Sequence, residues 1–204
     1  MKLRNRWTFT LPALALAFFA GACTPKPFLK VQYQLPSPSS TLEGEKVTLA
    51  VSDMRGKKAI LTENARKSLK NFNETFSLVV LHEDGSGDLI GVYDLVSLLT
   101  EVFRQRLKNE GIHVAAVADN VLPELKIEVT EFQLDSAKGK WVVSMNYRAS
   151  LLDEGSLLSK ESVSGEAERL SVTGKSDAEK ILGELLSDMA NKLNLVRLFQ
   201  QARQ

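Results

Sequence analysis

A chain of 204 residues with 26 Lys and Arg against 25 Asp and Glu has no charge with which to hold a polyanion, so nucleic acid is excluded as its main partner. At 44% hydrophobic residues the composition is that of an ordinary globular protein, and a single cysteine excludes an internal disulfide.

Residues 1–22 read as an export signal. Lys2, Arg4 and Arg6, with no acid among them, hold the start of the chain on the cytoplasmic side of a membrane. The apolar run that follows is roughly a dozen residues, which suits a signal and falls short of the ~20 that a spanning helix needs. Small residues at Ala20, Gly21 and Ala22 then let a peptidase grip the extended backbone. Cleavage between Ala22 and Cys23 and lipidation of Cys23 are the expected processing, with a diacylglycerol and an N-linked acyl chain such as palmitate as the covalent group. The stretch resembles the lipobox of bacterial lipoproteins, with Ala20 where Leu is usual. Ala20 to Ala22 is also an A-x-A site for ordinary signal peptidase, which would release a soluble protein with a free thiol. An uncleaved anchor is the third reading, for which Pro12 is poor material.

Two features favour lipid. An odd exported thiol calls for an explanation, and lipidation is one. Residues 23–44, with Pro25, Pro27, Pro36 and Pro38, read as a semi-rigid Pro/Ser-rich tether spacing a domain from a bilayer. Each buried methylene is worth ~0.8 kcal/mol, so more than one acyl chain anchors stably without a transmembrane helix. Thr24 is not the Asp that retains enterobacterial lipoproteins in the inner membrane. By that resemblance the destination is the inner leaflet of the outer membrane, facing the periplasm.

Residues 45–204 are then one periplasmic domain, large enough to bury a core. Residues 45–53 alternate as a strand around Val47, Leu49 and Val51 and end in a charged turn. Leu61, Ala65, Leu69 and Phe72 are spaced for a weak helix with Thr62 as N-cap. A short apolar strand at 76–82 is broken by the loop 83–88. Residues 94–109 carry an amphipathic face of Leu95, Leu98, Leu99, Val102, Phe103 and Leu107, with Gly111 just beyond the end. Strands follow at 112–117, 124–134 and 140–152, and a more polar one at 158–170 reads as an edge. Ser176 and Glu179 form an expected capping box for a last helix keeping its period from Ala178 to Val196. The sum is α+β: a two-layer sandwich of a mainly antiparallel sheet with two amphipathic helices packed on it.

The lipobox-like signal, the strand ending Val51-Ser52-Asp53-Met54-Arg55, the helix of residues 94–111 running into Ile112-His113-Val114, and the final helix around Leu185 to Ala190 together resemble the YajG family of small bacterial lipoproteins. The layout is also similar to the lipopolysaccharide-assembly lipoprotein LptE and to auxiliary lipoproteins of lipid-transport systems. The resemblance implies a lipid-anchored fold with no established activity, and it carries over one functional residue, Cys23.

Sharper motifs fail on their spacing. Gly174-Lys175-Ser176 lacks the earlier glycine of a phosphate loop, since Arg169 occupies that position. Asp84 to Asp88 resembles the start of a calcium loop, but Leu89 and Leu95 replace its turn glycine and bidentate Glu. His82 and His113 have no Cys or carboxylate at ligand spacing, so no metal is expected. Asn73-Glu74-Thr75 matches a glycosylation acceptor that a bacterial lipoprotein would not use. Trp141 reads as core. Asp53 and Arg55 read first as a local ion pair and, failing that, as candidate partner contacts. No catalytic residue emerges and no enzyme is expected. The expectation is a non-enzymatic binding or assembly module for another envelope protein. The alternative is an auxiliary that binds or passes on a lipid or small amphiphile between helix layer and sheet.

Overall fold

The computed structural model describes residues 27–116 and 122–203. The signal, its cleavage site and Cys23 lie outside them.

The described residues form two sheets with helices packed on them. The larger is built from β2 (Lys46–Asp53), β5 (His113–Val114), β6 (Glu124–Ala137), β7 (Lys140–Asp153) and β8 (Ser156–Leu170), in the order β5-β2-β6-β7-β8. Tight turns join β6, β7 and β8, which therefore pair antiparallel; Lys138 and Gly139 at one turn, and Glu154 and Gly155 at the other, take the positive φ such turns require. β2 instead runs parallel to β5 and β6, because the chain between them crosses over through other elements.

That crossover contains α1 (Glu63–Ser68), β3 (Phe76–Leu81), β4 (Gly87–Tyr93) and α2 (Leu95–Asn109). Thr62 caps α1 and Asp94 caps α2, each accepting from the backbone N–H three residues on. Gly111, at φ +82°, ends α2. The apolar stripe of α2 lies on β2 and β5. Residues 87–93, which carry no clean alternation, are a strand antiparallel to β3.

The tether reading needs correction here. β1 (Leu29–Gln34) falls within residues 23–44, yet it pairs in parallel with β3 and buries Leu29, Val31 and Tyr33 to 1% exposure or less. The small sheet has the order β1-β3-β4. Residues 35–45 are also held to the domain: Ser39 N–H donates to Asn109 O, Asn109 Nδ2 to Pro36 O, and Leu42 is 4% exposed. Prolines made this stretch read as a spacer, but the apolar alternation of Leu29, Val31 and Tyr33 outweighs them.

α3 (Lys175–Lys192) lies along the free edge of β1. Its Glu179 and Ser187 side chains accept from the N–H groups of Lys30 and Gln34, and Asn191 Nδ2 donates to Gln34 O. A helix thus covers a sheet edge that would otherwise be open to pairing. The expected capping box is absent: Gly174 occupies the N-cap with no side-chain bond. Asp177 instead accepts from the N–H groups of Val172 and Thr173, tying down the turn ahead of the helix. α4 (Leu195–Gln201) packs against β8, where Ser159 Oγ donates to Leu198 O at 2.7 Å.

Candidate functional site

The corner where β2 ends holds the residues singled out from the sequence. Along β6, Leu125, Ile127 and Val129 are buried, but so are Phe132 and Leu134, which have the opposite parity. A bulge at Thr130 absorbs the extra residue and returns both sets to the core face. It also turns carbonyls toward β2: Met54 N–H donates to Val129 O, and Arg55 Nη1 donates to Phe132 O at 3.0 Å.

Arg55 folds back on Asp53. Its Nε and Nη2 each donate to the carboxylate at 3.0 Å, one to either oxygen, and its backbone N–H donates to Asp53 Oδ1 at the same distance. Lys58 Nζ stands 3.3 Å from Asp53 Oδ1. The Arg55 hydrogen bonds dominate and hold the Asp53 carboxyl down at about 2. The Arg55 side chain is only 5% exposed and that of Asp53 20%, so the pair is a part-buried two-point latch. A partner arriving at this corner would meet exposed Met54, Lys57 and Lys58 beside a groove of about 270 Å³ bordered by Glu131 and Gln133.

The other singled-out residues do not converge. His82 Nε2 lies 3.0 Å from Asp88 Oδ2 across the β3–β4 hairpin, in solvent; His113 is exposed on β5. Asp84 accepts from both the N–H and the hydroxyl of Ser86, closing a turn, and those bonds lower its pKa. Thr75 Oγ1 donates to Asn73 Oδ1. Trp141 is 1% exposed, in the core. Among the described residues, no group of three or more His, Cys, Asp or Glu is placed to hold a metal ion.

Among the described residues, α2 packs tightly where it meets the large sheet. Leu98, Leu99, Val102 and Leu107 of α2 and Leu125, Ile127, Val143 and Ala149 of the sheet are all 0% exposed, so no void that admits a water touches them. On the opposite face of the large sheet no helix packs among the described residues, and Lys126, Glu128 and Arg148 form a charged ladder there. A groove of about 540 Å³ lined by Glu128, Arg148, Ser150, Leu157, Lys160 and Ser162 lies on it. The sequence signal for this face was the polar half of each alternating strand.

No family model matches the chain, and no curated protein matches it. The resemblance to the YajG family therefore has no sequence match behind it. Solved structures do match. Protein XCC0632 of Xanthomonas campestris, a DUF330 protein, is similar at TM-score 0.51 and 16% identity, over 85% of this chain and 100% of that one. Rare lipoprotein B of Shewanella oneidensis is similar at TM-score 0.45 and 10% identity, over 78% and 98%. A minor lipoprotein of Acinetobacter baumannii gives TM-score 0.36 and 13% identity, over 75% and 94%. The first of these shares the fold. Among the described residues no helix is long and apolar enough to cross a membrane.

Proposed function

We propose that the protein is an envelope lipoprotein, held by acyl chains on Cys23 to the inner leaflet of the outer membrane, that works without enzymatic chemistry by binding another envelope component. The observation that carries this reading is how firmly the chain is fixed just after Cys23. Asn73 N–H donates to Pro27 O, Lys175 Nζ donates to Phe28 O, and Leu29 begins a buried strand. An anchor at Cys23 would therefore hold the whole domain, and would leave the polar sheet face free for a partner.

The test is mass spectrometry of the mature N-terminus with fractionation of a Cys23→Ser variant. Diacylglycerol and an N-acyl chain on Cys23, and release of the variant into the soluble periplasm, are expected. Native protein that begins with an unmodified thiol overturns the anchoring. Recovery of no specific protein from crosslinked envelopes overturns the binding role.

A further inference from the structure

Pro27 is the first described residue, and only residues 24–26 separate it from Cys23. Four steps of backbone reach at most about 14 Å, whatever their conformation. A lipid on Cys23 would thus hold one particular end of the domain against the bilayer, the end at which β1 begins.

The topology identifies what else is at that end. β1 starts beside the start of β3, since Leu29 pairs with Phe76. α3 runs alongside β1 from its own N-terminus, because Lys30 meets Glu179 and Gln34 meets Ser187. The β8–α3 turn therefore lies here, and Ser171 N–H donates to Gly139 O of the β6–β7 hairpin. α1 packs against the last residues of β6, where Thr62 N–H donates to Leu134 O, and its following loop reaches Pro27 through Asn73.

Exposed cations outnumber exposed carboxylates on these segments, where α1 and its following loop carry Glu63 and Glu74. Arg66, Lys67, Lys70 and Lys138 are exposed and have no carboxylate within ion-pair distance among the described residues. Leu170 and Val172, beside them on the β8–α3 turn, are 63% and 81% exposed. At the far end Lys46 is exposed at the start of β2, but the hairpin turns are acidic. Strand β7 separates its two hairpins by about 45 Å, and the distal turns present Asp153, Glu154, Glu83 and Asp84.

We infer that the end of the domain formed by α1, the β6–β7 hairpin and the β8–α3 turn is a membrane-apposed surface. Arg66, Lys67, Lys70 and Lys138 face anionic phospholipid headgroups there, and Leu170 and Val172 rest in the interfacial layer. Cations close to an anionic surface are attracted over about a Debye length, ~10 Å at 0.1 M salt, within the reach that the anchor sets.

The inference rests on the proposed lipidation of Cys23, and the experiment separates the two. The full mature lipoprotein, with Cys23 acylated and Val172→Cys as its only free thiol, is labelled with an environment-sensitive fluorophore and reconstituted into vesicles containing about one third phosphatidylglycerol and brominated lipid. A second protein carries Ser156→Cys, on the distal turn. Quenching of the Val172 probe at least about twofold stronger than of the Ser156 probe is expected, and it falls toward the distal level in 0.5 M salt or on combining Lys67→Glu, Lys70→Glu and Lys138→Glu. Circular dichroism confirms that the triple variant is folded. Equal quenching at the two ends of vesicle-bound protein overturns the inference and leaves the anchoring intact; protein that does not float with vesicles at all fails the anchoring itself.

Discussion

Gly183 of α3 and Gln32 of β1 touch through their backbones: a Cβ built on Gly183 would stand 2.6 Å from Gln32 O and 3.1 Å from Gln32 N. Both are main-chain atoms of a paired strand, so neither can swing aside. Gly183→Ala adds about 1 kcal/mol of helix propensity but forces an overpacking cost of roughly 1–3 kcal/mol, and a net loss of up to about 2 kcal/mol is expected. Urea unfolding measures it as a lower midpoint at unchanged slope. Gly165→Ala serves as the contrast, since its new methyl meets the thioether of Met189, which can rotate away. It should cost less than Gly183→Ala.

Replacing Asp53 by Asn should cost on the order of 1–2 kcal/mol near neutral pH, because it removes a carboxylate bound at two points to a buried guanidinium. The pH dependence follows from the direction of the shift. A folded value of about 2, below the ordinary 3.8, means that the stabilisation is complete above pH 3.8 and disappears as pH falls through about 2. The midpoints of wild type and Asp53→Asn should therefore converge between pH 4 and pH 2. A constant difference across that range would mean that the carboxylate charge is not what holds the corner.

Tyr33 and Tyr147 are buried, and burial pushes both phenols above their ordinary value of about 10; for Tyr147 the Glu161 carboxylate adds to this. Tyr147 Oη donates to Met189 O at 2.8 Å, and Tyr33 Oη to Asn191 Oδ1 at 3.0 Å, so each phenol also needs its proton to hold α3. The stabilisation they give is complete below pH 10 and is lost as pH rises beyond it, because the unfolded chain releases protons that the folded one keeps. Absorbance titration at 295 nm should show these two rings ionising together with unfolding. Tyr147→Phe should cost about 0.5–1.5 kcal/mol in its own right, read from denaturant unfolding at neutral pH.

Deleting residues 23–34 should abolish cooperative thermal unfolding, whereas deleting residues 23–26 should leave it intact. Leu29, Val31 and Tyr33 are each at most 1% exposed. Burial of such side chains is worth about 1.5–3 kcal/mol apiece, and their sum approaches the 5–15 kcal/mol by which a domain is stable. Circular dichroism on heating decides the matter. An unchanged transition in the longer deletion would return β1 to the role of a tether.

Features set by neighbours along the chain could be read from the residues alone. The stripe of α2, its Asp94 cap and Gly111 stop, the two hairpins of the β6–β7–β8 meander and the polar edge of β8 are all local in origin: side-chain period and turn chemistry are properties of consecutive residues. Which strands became partners was settled by packing between distant parts of the chain. β1 was hidden among prolines, because its partner β3 and the side chains of α3 that close its other edge are distant in the chain. β4 was hidden by the polar loop before it. The capping box gave way to Asp177 because the turn after β8 had its own N–H groups to satisfy. Arg55 changed from a surface charge to a part-buried latch because the bulge at Thr130 brought Phe132 O within its reach. Pairing across a fold depends on which distant backbone groups and apolar faces must be satisfied together, and no window of consecutive residues contains that information.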